Sequence, residues 1–289
     1  MHVRAVAAAT TAFLGATVLL LPTSAAHAAA DAGNPLVVAH RGASAYAPEN
    51  TLAAVDKAHE MGFDWVENDV QRTSDGRLVV LHDATLARTT NVEDLYPERA
   101  PWNVADFTAA EIGRLDAGSW FGDTYAGARV PTLEQYMRRV SRNHQKLVLE
   151  IKNPQLYPGI EQQTLKVLGN EGWLGPAHLE KLVIQSFSAD TVRRVHDLSP
   201  AVKTALLGTP DIADLPEYAT FSDQINSSYT TISESYVATI HALGGPHGKP
   251  LEILTWTVND AANARRVADY GVDGIITNKP DVVRDATQG

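Results

Sequence analysis

Three carboxylates, two imidazoles, an arginine and a lysine stand where apolar runs of this sequence end. His40 and Arg41 follow Leu36-Val37-Val38-Ala39. Glu67 and Asp69 lie in the run that begins Trp65-Val66. His82 follows Leu78-Val79-Val80-Leu81, and Glu150 and Lys152 follow Leu147-Val148-Leu149. Alternate residues of a strand share a face, so Glu67 and Asp69 point one way, as do Glu150 and Lys152. If Val66 and Val70 face outward, the acids face inward. Carboxylates gathered there repel one another unless a cation binds among them. All-oxygen ligation selects a hard cation, Ca²⁺ or Mg²⁺, over Zn²⁺. The same acids also read as salt-bridged residues that hold no metal, with Arg41 and Lys152 neutralising Glu49, Glu67 or Glu150. A lone histidine is more often structural than catalytic, but two at neighbouring strand ends can serve as general base and general acid on opposite sides of a reacting centre. Arg41 offers a planar fork matched to phosphate oxygens, and Lys152 a point charge. A metal, two histidines and two cations together suit a phosphodiester.

Such a set must be carried by strands whose tips meet. Candidate strands are Leu36–His40, Trp65–Val70, Leu78–His82, Lys146–Ile151, Leu182–Ser186, Thr204–Leu207, Gln224–Asn226, Glu252–Val258 and Gly274–Thr277, with helical segments between most of them. Apolar residues on consecutive positions suit strands covered on both faces, as in a parallel sheet. The alternating order allows a (β/α)₈ barrel or a doubly wound sheet. The stretch Gln71–Arg77 contains Ser-Asp-Gly and is too short for a crossover, which needs about a dozen residues. Leu78–His82 is therefore an antiparallel extension of the second strand. Eight strands remain, and the prediction is a TIM (β/α)₈ barrel whose loops after each strand share one mouth. Asn50 or Thr51 can cap the first helix, and Gly62 can end it. Residues 84–131 break the rhythm as an insertion rich in Asp, Gly, Tyr and Trp, and long insertions of this kind serve as lids or binding loops.

The chain has 289 residues, a formal net charge of −10 and no cysteine. The acidic balance argues against nucleic-acid partners, and no disulfide holds the fold. Arg4, the uncharged apolar run Ala5 to Leu21 and Ala26-His27-Ala28 together make a secretory signal with cleavage near Ala28. The expectation is a signal peptide over 1–28, one domain over 29–289, a secreted protein and no stable membrane insertion after cleavage.

The stretches "HRGASAYAPENT", "VENDVQRTSDGRLVVLHD", "LVLEIKNP", "VIQSF", "LTWTVND" and "GVDGIITNKP" resemble, in order and spacing, the glycerophosphodiester phosphodiesterases. The resemblance runs from about residue 36 to 281. It implies a TIM barrel of the phospholipase-C-like type with a small insertion after the His82-Asp83 pair. It further implies that Glu67, Asp69 and Glu150 bind one divalent cation, that His40 and His82 are the acid–base pair, and that Arg41 and Lys152 contact the phosphate. Glu49 would orient Arg41, and Trp256 would either wall the substrate site or fill the barrel. Asn50 is expected mainly as a helix cap, Asn278 as the closure of the turn before Pro280, and Gly42 as a point where backbone passes close to the substrate. Asn68 departs from the family pattern, which has an apolar residue between the two acids. It must find partners on the helix side, or the strand is locally irregular.

The expected function is metal-dependent hydrolysis of glycerophosphodiesters, such as glycerophosphocholine or glycerophosphoethanolamine, to sn-glycerol 3-phosphate and an alcohol. Ca²⁺ is favoured over Mg²⁺ because the protein is expected to work outside the cell and three carboxylates tolerate its loose geometry. Two rivals stand beside it. A phospholipase D acting on intact lipids would use Trp102, Trp120, Phe121 and Tyr125 as an apolar surface, residues that read equally well as the insertion's own core. A non-catalytic barrel would bind teichoic acid.

Overall fold

A computed structural model describes residues 1–2 and 33–288; the expected signal and its cleavage point lie outside the described residues. From Gly33 onward the chain forms one compact unit. Its strands are β1 (Leu36–Ala39), β2 (Trp65–Arg72), β3 (Leu78–Val80), β4 (Lys146–Ile151), β5 (Leu182–Ser186), β6 (Lys203–Leu207), β7 (Gln224–Ser228), β8 (Leu254–Trp256) and β9 (Gly274–Thr277). β1 pairs in parallel with both β9 and β2, so the sheet closes on itself. Among the described strands β3 alone is antiparallel, folded back on the end of β2 with Val70 opposite Val80. Without it eight parallel strands form the ring. The connections carry helices, among them Leu52–Glu60, Leu133–Arg142, Ile160–Asn170, Ala189–Leu198 and Ala261–Asp269, and Pro280–Thr287 follows β9. The fold is the expected (β/α)₈ barrel. β8 is shorter than Glu252–Val258, because Glu252 makes only an isolated bridge to Gln224.

Strand parity explains why polar groups collect at one end. The barrel's interior cluster consists of Val38, Val148, Val183, Ala205, Leu254 and Ile276. Two residues further along each strand, on the same face, stand His40, Glu150, Gln185, Leu207, Trp256 and Asn278. Each inward column thus runs from an apolar plug to the mouth, and most end in a polar group there. The opposite parity packs outward: Val37, Val66, Val70, Leu147, Leu149, Ile184 and Ile275 belong to the large core between sheet and helices. Asn68 has this outward parity. It pairs with Leu149 in a regular ladder and is fully buried, yet neither its Oδ1 nor its Nδ2 has a hydrogen-bond partner. The partners expected for it are not found.

The first helix resolves the choice of cap. Thr51 Oγ1 accepts a hydrogen bond from Ala54 N (3.3 Å), and the helix ends at Met61 before Gly62, whose φ is +80°. Asn50 is therefore free for other work. Gly42 (φ +78°) packs against this helix: a Cβ there would lie 2.6 Å from Ala54. The contact that forbids a side chain at Gly42 is therefore with Ala54.

The insertion has a core of its own, centred on Leu86, Val92, Val104, Phe107, Ile112 and Leu115. Its helix Ala109–Ile112 is fixed by a capping box between Thr108 and Glu111. Trp102 packs on that core. Trp120, Phe121 and Tyr125 form an edge-to-face string with centroids 5.7 and 5.5 Å apart, and Tyr125 Oη donates to Tyr46 O (2.7 Å) in the loop after β1. The insertion is thereby tied to the barrel. Among the described residues no helix is long and apolar enough to cross a membrane.

Candidate active site

The barrel mouth brings His40, Arg41, Glu67, His82, Glu150, Lys152 and Trp256 around one cavity of ≈120 Å³. Gln185, Phe187, Leu207, Thr257 and Ile276 complete its wall. Neither Asp69 nor Glu49 lines the cavity; both contact Arg41.

Glu67, Asp69 and Glu150 each present an oxygen within 4.8 Å of the others, and all three are buried. Burial and the neighbouring charges of Asp69 and Glu150 push the Glu67 carboxyl well up. Burial and Asp69 push Glu150 up to about 8. Burial alone would raise Asp69 too, but the charges of Arg41, His82 and Lys152 outweigh it and hold its carboxyl low. Asp69 Oδ1 is buried and has no hydrogen-bond partner. Buried polar atoms are normally satisfied. An all-carboxylate donor set, mutual repulsion and an orphaned oxygen fit a hard divalent cation. The remaining carboxylate atoms are held in place. Asn50 Nδ2 donates to Asp69 Oδ2 (2.8 Å), Arg41 N donates to Glu67 Oε2 (3.0 Å), and Gln185 Nε2 reaches Glu67 Oε1 (3.5 Å). Gln185 is itself held by Asn226 Nδ2 (2.9 Å). Asn50 is thus a site residue as well as the cap's neighbour.

Carboxyl groups flank both cations. Arg41 Nη1 donates to Glu49 Oε1 (2.9 Å) and its Nε lies 3.3 Å from Asp69 Oδ2; Lys152 Nζ lies 2.9 Å from Glu150 Oε1. Arg41 sits at φ +57°, which turns its backbone N–H toward Glu67 while its side chain reaches Glu49 and Asp69. Glu49 holds Arg41 as expected. Burial alone would raise the Glu49 carboxyl, but hydrogen bonds from Arg88 and the charge of Arg41 keep it low.

The two histidines differ. Burial first, then the charge of Arg41, pushes His40 down to about 4, so its ring is neutral near pH 7. Its Nδ1 lies 2.6 Å from Asn278 Oδ1, which assigns the N–H to Nδ1 and leaves Nε2 as acceptor. Asn278 is therefore more than a turn residue: it orients His40. His82 Nδ1 lies 2.6 Å from Asp83 Oδ1. Hydrogen bonds from Arg88, opposed by partial burial, hold Asp83 down at about 2, so it is a carboxylate at working pH.

Trp256 walls the cavity. Its Nε1 donates to Asn226 O (2.8 Å), and its ring meets Phe187 edge-to-face at 5.6 Å. Phe187 is 54% exposed at the rim. Sequence reasoning missed Asn278, Arg88, Gln185, Phe187 and the role of Asp83. Asp83, adjacent to His82, and Gln185 and Asn278, each two residues beyond an inward apolar residue, carried a readable signal.

The model of the glycerophosphoryl diester phosphodiesterase family matches residues 40–282. The chain belongs to that family. It is accordingly a glycerophosphodiester phosphodiesterase, a phosphoric diester hydrolase. A glycerophosphodiester phosphodiesterase of Bacillus subtilis is 36% identical over 269 residues, covering 88% of this chain and 87% of the relative. One from Caldanaerobacter subterraneus is 36% identical over 251 residues, covering 86% and 96%. Among solved structures, an Oleispira antarctica phosphodiesterase in complex with the product sn-glycerol-3-phosphate is similar with a TM-score of 0.76 and 28% identity, over 89% of this chain and 98% of that one.

Proposed function

We propose that this enzyme is exported and hydrolyses small glycerophosphodiesters, such as glycerophosphocholine and glycerophosphoethanolamine, to sn-glycerol 3-phosphate and the free alcohol. The observation that carries the reading is one cavity lined by two histidines, two cations and carboxylates of the acidic triad. Glu67, Asp69 and Glu150 would hold the divalent cation, and Ca²⁺ suits three carboxylates with loose geometry better than Mg²⁺ does. A cation bound there supplies Lewis-acid stabilisation of charge on the phosphoryl oxygens.

The chain's own groups do the rest. Arg41 and Lys152 bind the phosphate. His40, neutral and with Nε2 as acceptor, takes the proton from the nucleophile. His82, backed by the Asp83 carboxylate, donates one to the leaving alcohol. Trp256 and Phe187 offer an aromatic wall beside the phosphate. The packing of Trp102 on the insertion's own core favours a small diester over a diacyl lipid. A complete set of chemical groups speaks against a merely teichoic-acid-binding barrel.

The test is release of choline from glycerophosphocholine by the calcium-loaded protein, with and without EDTA, with His40→Ala and His82→Ala as controls and the diacyl lipid as rival substrate. Chelator-sensitive release, lost by about 10²–10⁴-fold in either variant, is the expected result. Equal or faster turnover of the diacyl lipid would overturn the substrate assignment, and no release from any diester would overturn the activity.

A further inference from the structure

We propose that Arg88, contributed by the insertion, is a positioning residue that locks the proton-transfer side of the active site to its phosphate side; the inference rests on the phosphodiesterase reading. Its guanidinium grips two carboxylates at once. Nε donates to Asp83 Oδ2 (2.6 Å) and Nη2 to Asp83 Oδ1 (3.1 Å). Nη1 donates to Glu49 Oε2 (2.9 Å) and Nη2 to Glu49 Oε1 (2.7 Å). The same two acids hold functional side chains. Asp83 Oδ1 is 2.6 Å from His82 Nδ1, and Glu49 Oε1 accepts from Arg41 Nη1 at 2.9 Å. The result is an unbroken chain from His82 through Asp83, Arg88 and Glu49 to Arg41.

Glu49 lies in the loop after β1 and Asp83 in the loop after β3. Arg88 joins them through side-chain contacts. A planar guanidinium presents donors along two edges, so it can form a bidentate pair with each of two carboxylates. The point charge of a lysine cannot. Without Arg88 two anions would face each other with no shared cation, and Asp83 would lose the bonds that fix the oxygen pointing at His82. Arg88 does not line the cavity, so its effect must pass through His82 and Arg41. The insertion delivers it firmly: Leu86 is buried in the insertion core, its N–H donates to Trp102 O (2.9 Å), and Thr90 Oγ1 donates to Leu86 O (2.6 Å).

The experiment compares wild type, Arg88→Ala, Arg88→Lys and Arg99→Ala in the calcium-loaded enzyme. Arg99 belongs to the insertion's own structure: it pairs with Glu111 (2.7 Å) and lies over the Phe107 ring. Measured are kcat and KM on glycerophosphocholine, the inhibition constant of sn-glycerol 3-phosphate, and the melting temperature. Arg88→Ala is expected to lower kcat by about 10- to 100-fold, through His82, and to weaken product inhibition, through Arg41. Arg88→Lys should remain impaired, sub-denaturing guanidinium should restore part of the Arg88→Ala rate, and Arg99→Ala should keep kcat even where its melting temperature falls. The proposal is overturned if folded Arg88→Ala keeps kcat within about twofold of wild type, or if Arg99→Ala loses as much kcat as Arg88→Ala. Should Arg88→Ala not fold, Arg88→Lys carries the same two outcomes. If wild type fails to cleave the diester, the functional reading falls by itself. The role of Arg88 is then decided by calorimetric affinity for inorganic phosphate, which Arg88→Ala must weaken.

Discussion

Metal binding to this barrel should expel protons, and the size of the effect follows from Glu150. Burial and the neighbouring Asp69 raise its carboxyl from 4.5 to about 8. One unit below that value, at pH 7, about nine-tenths of the Glu150 carboxyls carry a proton. A cation that needs the carboxylate must therefore displace most of a proton from this residue alone, at a cost of about 1 kcal/mol at pH 7 and about 3 kcal/mol at pH 6. Glu67 is raised in the same direction and adds to the release.

The sign is the same for folding. The folded metal-free chain binds the Glu150 proton more tightly than the unfolded chain does. That contribution to stability is complete below about 4.5 and is lost as pH rises through about 8. Affinity for the cation moves oppositely, tightening by about tenfold per pH unit or more below about pH 8. The assay is calorimetric titration of chelator-stripped protein with calcium at several pH values, in two buffers of different ionisation heat. The observed heat should differ between the buffers by about one proton's worth or more. An affinity flat across that range, with heats independent of buffer, would refute the reasoning. It would mean that Arg41 and Lys152 already hold the carboxylates ionised, so that the triad is a salt-bridged cluster rather than a strained metal site.

Two further outcomes concern stability. Asn68→Leu removes a fully buried amide without hydrogen-bond partners. It should stabilise the fold by about 1–3 kcal/mol, seen as a higher urea midpoint at unchanged slope; a lower midpoint would show that the amide is satisfied. Gly42→Ala places a methyl 2.6 Å from Ala54 at φ +78° and should cost about 1–3 kcal/mol, with activity falling too because Arg41 precedes it. Wild-type stability would refute the close approach.

The barrel was legible because its grammar is periodic. Val38 and His40, Val148 and Glu150, or Leu254 and Trp256 are spaced by two along strands of known direction. An ionisable group in such a column must face the barrel interior and reach its mouth. The turn at Ser74-Asp75-Gly76 likewise exposed β3 as a return strand, since it leaves no room for a crossover. For this reason Glu67, Asp69, Glu150, His40 and His82 could be nominated from sequence, and the folded chain places them together. The insertion offers no such period, and its capping box at Thr108 and Glu111 signals a helix without saying what the segment is for.

The residues that were missed are those that hold the nominated ones still, and the physical reason is common to them. Asn278 meets His40 only because β9 closes the ring against β1, so the contact depends on closure and not on any local pattern. Arg88 meets Glu49 and Asp83 from a loop, where side-chain direction has no periodicity to read. Asn50 and Thr51 are both good helix caps; which one caps depends on where the helix starts by a single residue, and that register frees Asn50 for Asp69. Gly42 announces a left-handed backbone, but only the packed helix shows that Ala54 is what forbids a side chain. Groups that contact substrate must lie on the inward face and so inherit the parity of the strands. Groups that orient them can come from any loop within reach of the mouth. In a barrel of this kind the sequence therefore displays the chemistry more readily than its alignment, and variants at Asn278, Asp83 and Arg88 probe what the strand pattern leaves unspecified.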